Sequence, residues 1–172
     1  MRTVVLDPHV MDDVIARRQA LGQDRFDEVW NGEYHMNPGP TGRHAYLDSE
    51  LIVLLHPHAK AAGLHASTGF NLGDGPTNYR VPDGGYHRIP PVDTWIPTVA
   101  IAVEILSPDD ETYAKFDFYL DHGVEEIIVV DSLERTVRCF VRTGSPGSFT
   151  EEKTSNLLGV TTSWITDSLS WP

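Results

Sequence analysis

Residues 98–106 (TVAIAVEIL) form an almost unbroken apolar run with a single carboxylate inside it. A run of this length and β-branched content reads as a strand covered on both faces, as strands of parallel sheets are. Residues 125–131 (EEIIVVD) form a second such run, and 108–122 between them read as a helix. Strand, helix, strand is a crossover unit, and it implies a mixed or parallel sheet flanked by helices. The fold class expected is therefore α/β, or α+β, with a central mixed β-sheet.

The rest of the chain supplies further elements. Residues 9–21 read as a helix on the recurrence of Val10, Val14 and Leu21, with Asp7-Pro8 suited to its cap and first turn. Residues 26–36 read as a hairpin, because Asn31-Gly32 tolerates the positive φ angles of a type I′ turn. Gly39, Pro40 and Gly42 then break the chain, and 43–62 read as a long helix with Leu47, Leu51, Leu54 and Leu55 in one stripe. Strands are expected at 64–71 and 78–88 around a Gly73-Asp74-Gly75-Pro76 loop, at 136–142, and at an edge near 159–165. One domain of 172 residues follows, with a helical extension over 1–23, a core over 24–142 and an edge segment over 143–172.

A chain of this size buries roughly 70% of its unfolded surface and needs no staples. The lone cysteine, Cys139, excludes an internal disulfide and a two-cysteine zinc motif. With no signal-peptide pattern and no apolar run long enough to span a bilayer, a cytoplasmic location and no membrane partner are expected. The net charge of −12 argues against a general nucleic-acid binder, whose affinity rests on phosphate contacts. Acids that hold a divalent metal, however, raise the negative count by design.

Alternation along 98–106 places Val99, Ile101, Val103 and Ile105 on one face and Ala100, Ala102, Glu104 and Leu106 on the other. Glu104 thus lies mid-strand in the interior, where an unpaired charge costs several kcal/mol. It needs a metal ion, a cationic partner or a proton, and a purely structural ion pair meets the need as well as a metal. Ser107-Pro108-Asp109-Asp110 reads as a cap and first turn. On the helix that follows, Lys115 and Tyr119 are four apart and share a face. Asp83, in Val81-Pro82-Asp83-Gly84-Gly85, reads locally as a turn residue. Beside Glu104 it becomes the second carboxylate that a magnesium ion takes, along with a carbonyl and water oxygens.

Together these residues resemble a known family. Val81-Pro82-Asp83, then Val103 to Pro108, then Lys115, Tyr119 and Gly123-Val124-Glu125-Glu126, then Val129-Val130-Asp131 are similar to the Uma-type restriction endonucleases of the PD-(D/E)XK nuclease superfamily. The hairpin Asp27 to Glu33 and the helix bearing His44 resemble that family's N-terminal half. The resemblance covers roughly residues 24–142 and implies a restriction-endonuclease-like fold with Asp83 and Glu104 as the two acids. Leu106 stands where the superfamily places its lysine, so Lys115 on the next helix is the candidate.

The activity so implied is metal-dependent endonuclease hydrolysis of phosphodiester bonds in DNA. Asp83, Glu104 and the Ile105 carbonyl would hold Mg2+ or Mn2+, and Lys115 would orient the attacking water. His44, Glu50 and Tyr119 are candidates for supporting contacts to the metal or its waters. Arg80, Arg138 and Arg142, with Arg135, are candidates for phosphate contact, although Arg138 and Arg142 also read as the solvated face of a strand whose other face is Val137, Cys139 and Val141. A homodimer is expected by analogy with nucleases that cut duplexes. Two other readings stand beside this one. His56, His58 and His65 suggest a histidine-based metal protein. The acidic charge suits a catalytically silent adaptor, with Trp95, Trp164 and Trp171 as interface candidates.

Overall fold

The computed structural model describes residues 8–108, 111–144 and 147–172. The caps expected from Asp7, Asp109 and Asp110 lie outside those residues. In chain order the elements are α1 (Pro8–Ala20), β1 (Glu28–Trp30), β2 (Glu33–His35), α2 (Gly42–Ala61), β3 (His65–Thr68), β4 (Asn71–Gly75) and β5 (Asn78–Arg80). Then come β6 (Gly84–His87), β7 (Trp95–Ile96), β8 (Ile101–Leu106), a 3-10 turn (Thr112–Lys115), α3 (Phe116–Asp121) and β9 (Glu126–Asp131). The chain ends with β10 (Thr136–Thr143), β11 (Ser148–Glu152), β12 (Thr154–Ser155), β13 (Val160–Thr161) and α4 (Thr162–Ser168).

The two apolar runs become the parallel pair β8 and β9 at the centre of a six-stranded mixed sheet, ordered β11-β10-β9-β8-β6-β3. The helical stripe of α2 (Leu47, Leu51, Leu55, Ala59) and Ile165 of α4 cover one face, against Ile101, Val103 and Ile105 of β8 and Ile128 and Val130 of β9. Each of these leucine, isoleucine and valine side chains contributes roughly 1.5–3 kcal/mol on full burial. The other face packs Ala102, Ile127 and Val129 against Phe118 and Tyr119 of α3 and Leu72 of β4. A second sheet, β2-β1-β5-β4-β7, lies to this side and is antiparallel except between β4 and β7. The alternation expected for 98–106 holds from Ile101 onward. It slips one step earlier, with Val99 on the α3 side and Ala100 on the α2 side, because the Ala100 carbonyl accepts from both Glu125 and Glu126.

The hairpin forms as expected, with positive φ at Asn31 and Gly32. Pro57 sits within α2, and the carbonyl its missing N–H would have engaged belongs to the exposed Val53, which water can serve. Several expectations are corrected. Leu21 is exposed rather than part of a buried stripe. The region 64–88 is four short strands, and Gly73 to Gly75 lie within β4 rather than in a loop. The helix expected over 108–122 begins as a 3-10 turn at Thr112. Residues 159–165 give only two strand residues before α4, capped by Thr161. Packing of Ile165 into the core decides that helix over the weak propensity of its β-branched residues.

Candidate active site

Glu104 projects from the even-numbered face of β8 toward α3 and is 3% exposed. Lys115, at the end of the 3-10 turn, places Nζ 3.1 Å from Glu104 Oε1. Tyr119, one α-helical turn on, donates its hydroxyl to the same Oε1. The Lys115 ammonium also lies 2.9 Å from Glu28 Oε1. Glu28, on β1, accepts from the Val81 amide at 2.9 Å and the Trp30 indole at 2.7 Å, so its orientation is fixed from three sides.

Asp83 occupies the short connection from β5 to β6. Its Oδ2 accepts from the Ile105 amide at 2.7 Å, which ties it to the strand residue after Glu104. Its Oδ1 lies 2.8 Å from His44 Nε2. His44 stands in the first turn of α2, whose cap Thr41 accepts from the His44 amide. Asp48 follows one turn later on the same face and lines the cleft with His44 and Asp83.

The electrostatics follow from crowding. Burial pushes the Glu104 carboxyl up; the Lys115 charge opposes this, while Asp83 and Glu28 add to it. For Lys115, burial favours the neutral amine, but the charges of Glu104 and Glu28 outweigh it and hold the ammonium. Burial first, then Glu104 and Glu28, keep Tyr119 a neutral phenol and hence a donor. Burial also pulls His44 down, yet its bond to Asp83 and the charges of Asp83, Asp48 and Glu104 leave it raised. Asp48 rises to about 6 through burial and the charge of Asp83.

This chemistry fits a hard divalent cation. Four carboxylates share the neighbourhood with one ammonium and one imidazole; Glu104 Oε1 and Glu28 Oε1 each already accept twice, while Glu104 Oε2 and both oxygens of Asp83 keep a lone pair beyond those used. Among the described residues no group of three or more His, Cys, Asp or Glu side chains is spaced to hold a metal. Two carboxylates with a main-chain carbonyl and waters are nonetheless the set magnesium accepts.

The structure brings together Asp83, Glu104, Lys115, Tyr119 and His44. Glu50 stands two residues past Asp48, about 200° round the helix, and it is Asp48, not Glu50, that lines the cleft with His44 and Asp83. Arg80 is corrected more strongly. It is buried between Trp30, 4.3 Å away, and Phe118, 4.1 Å away, and donates to the Val29 carbonyl, so it presents nothing to a phosphate. Arg138 and Arg142 do form the solvated face of β10 opposite Val137, Cys139 and Val141, and Arg135 is exposed in the preceding turn. His56 and His65 are exposed while His58 packs edge-on to Trp164, so these three make no metal centre. Trp95 packs on Tyr79, and the Trp171 indole donates to the Thr166 carbonyl.

Two site acids escaped the sequence reading. Glu28 sits in a three-residue strand too short for a periodicity argument. Asp48 carried a usable signal, its four-residue spacing from His44.

A crystal structure of "a putative nuclease belonging to DUF820 from Anabaena variabilis ATCC 29413" has the same fold, with a TM-score of 0.64 and 19% identity over 83% of this chain and 90% of that one. No curated protein matches the chain. Among the described residues no helix is long and apolar enough to cross a membrane. The family model described as "Uma2: Putative restriction endonuclease" matches residues 17–166, and the chain belongs to that family.

Proposed function

We propose that the protein is a metal-dependent endonuclease that hydrolyses phosphodiester bonds in DNA. The single observation that carries this reading is the placement of Lys115 on Glu104, with Asp83 fastened to the amide of the very next residue, Ile105. In an extended strand the N–H and C=O of one residue point the same way, so the Ile105 carbonyl is directed to the side of Asp83. Asp83, Glu104 and that carbonyl would hold Mg2+ or Mn2+. The ion supplies a Lewis acid and a water of lowered pKa.

The chain's own residues do the rest. Lys115 orients the attacking water and offsets charge that builds on the phosphate oxygens. Glu28 restrains the Lys115 ammonium, and Tyr119 fixes which Glu104 oxygen accepts. His44 sets the rotamer of Asp83. Glu28, Tyr119 and His44 stand on packed strands and helices, and their bonds and the Ile105 amide fix Lys115 and Asp83, so the arrangement is preorganised.

Nicking of supercoiled plasmid tests the reading. Activity is expected with Mg2+ and is expected to vanish with chelator or with Glu104→Ala; equal nicking in all three ends the proposal. One observation favours a second reading, a silent adaptor: Lys115 is already neutralised by two carboxylates. Mg2+ binding without cleavage of any nucleic acid would support it.

A further inference from the structure

A polyanionic substrate approaching a protein of net charge −12 needs a local cation, and the arginines expected for this role do not provide it at the site. Arg80 is buried, and Arg138 and Arg142 lie on β10, away from Asp83. Lys115 is occupied by Glu28 and Glu104, and His44 by Asp83. A cleft of about 110 Å³ opens outside Asp83, with walls that include Arg25, Phe26, Pro40, His44 and Gly69. Among the described residues, Arg25 is the one arginine or lysine on that wall.

We propose that Arg25 seats a phosphate of the substrate strand in this cleft, next to the phosphate that Asp83 and Glu104 address. The inference rests on the nuclease reading and names the binding residue it lacks. Arg25 is exposed, and among the described residues no carboxylate pairs with it. Its guanidinium lies 5.5 Å from the Phe26 ring, a contact that restrains it without consuming its donors. Gly69 forms the floor: its amide donates to the Asp83 carbonyl, and a Cβ there would stand 3.7 Å from Arg25 Nη2. The guanidinium fork therefore lies within contact range of the Gly69 backbone, which is itself bonded to the Asp83 main chain. That fork matches the two non-bridging oxygens of a phosphodiester, which a lysine does not. The cleft has room for several waters, and hence for a phosphate group.

Fluorescence anisotropy with a labelled DNA duplex, in Ca2+ and in chelator over a salt series, tests the proposal. Arg25→Ala is expected to weaken binding roughly 10-fold and to reduce the salt slope by about 1. Arg25→Lys should keep the slope and recover only part of the affinity, while Arg142→Ala should change neither. Unchanged affinity and slope in Arg25→Ala overturn the proposal, as does a wild type that binds neither duplex nor single strand. Should the alanine variant melt early, Arg25→Gln, which keeps the stem, carries the same test. Plasmid nicking in parallel separates the two readings. Wild-type nicking abolished by Glu104→Ala but untouched by Arg25→Ala sinks the arginine alone. Arg25-dependent binding with no cleavage sinks the nuclease and leaves the phosphate seat.

Discussion

The Lys115 ammonium stands 3.1 Å from the Glu104 carboxylate, and both side chains are almost wholly shielded from water. A pair this deep contributes little net stability when whole, yet losing one partner strands the other. Lys115→Met should therefore cost about 3–5 kcal/mol, because Glu28 and Glu104 are left facing each other without a counter-charge. Denaturant melts of Lys115→Met, Glu104→Gln and the double variant read this directly. The double variant should recover part of the loss. A single lysine variant as stable as wild type would show that the pair is not a unit.

Glu28 touches no reacting group and restrains Lys115 from the β1 side. Glu28→Gln keeps an oxygen for the Val81 amide but removes the charge that holds the ammonium. We expect a stability loss of about 1–3 kcal/mol. Plasmid nicking should fall at least roughly 10-fold, since a small misplacement of a positioning group is amplified in rate. Unchanged nicking by a folded Glu28→Gln protein would remove Glu28 from the working site.

How far these residues were legible differs for each. Glu104 announced itself because a carboxylate inside TVAIAVEIL has no apolar excuse, and β8 and β9 were readable as continuous apolar runs. Asn31-Gly32 fixed its own hairpin through its φ angles. Periodicity reports a face, however, and not what lies across from it. That Lys115 meets Glu28 depends on two sheets converging on α3, and that Arg80 turns inward depends on the Trp30 and Phe118 rings enclosing it. The three- to five-residue strands between 65 and 87 are set by their long-range partners, so local pattern merged them.

His44 bonds Asp83 Oδ1 and leaves Oδ2 to the Ile105 amide. Removing an outer partner of a ligating carboxylate usually weakens metal binding 10- to 100-fold, roughly. His44→Ala should thus raise the Mg2+ concentration for half-maximal nicking by about that factor and leave the melting midpoint nearly unchanged. Titration calorimetry with Mn2+ gives the same answer without turnover. Equal metal affinity in the two proteins would confine His44 to a helix-surface role.

His87 gives the fold a pH dependence separate from the site. It is 2% exposed on β6, directly across from His65 on β3, with Nε2 bonded to Ser67 Oγ at 2.7 Å and its ring edge-on to Phe70. Burial, and secondarily the charge of His65, depress it from 6.5 to about 4. Between those values the unfolded chain binds a proton that the folded chain refuses. Stability is then full above pH 6.5 and declines as pH falls toward 4, by up to about 3 kcal/mol in total. Carboxylates titrate in the lower part of the same window, so the comparison must be between proteins rather than between pH values. In His87→Gln the decline between pH 6.5 and 5 should flatten, while the loss below pH 5 persists. Urea midpoints at pH 7, 6, 5 and 4.5 measure both branches. Parallel curves for wild type and variant would mean that folding leaves the His87 pKa unshifted, and that burial beside Ser67 and Phe70 does not exclude the imidazolium.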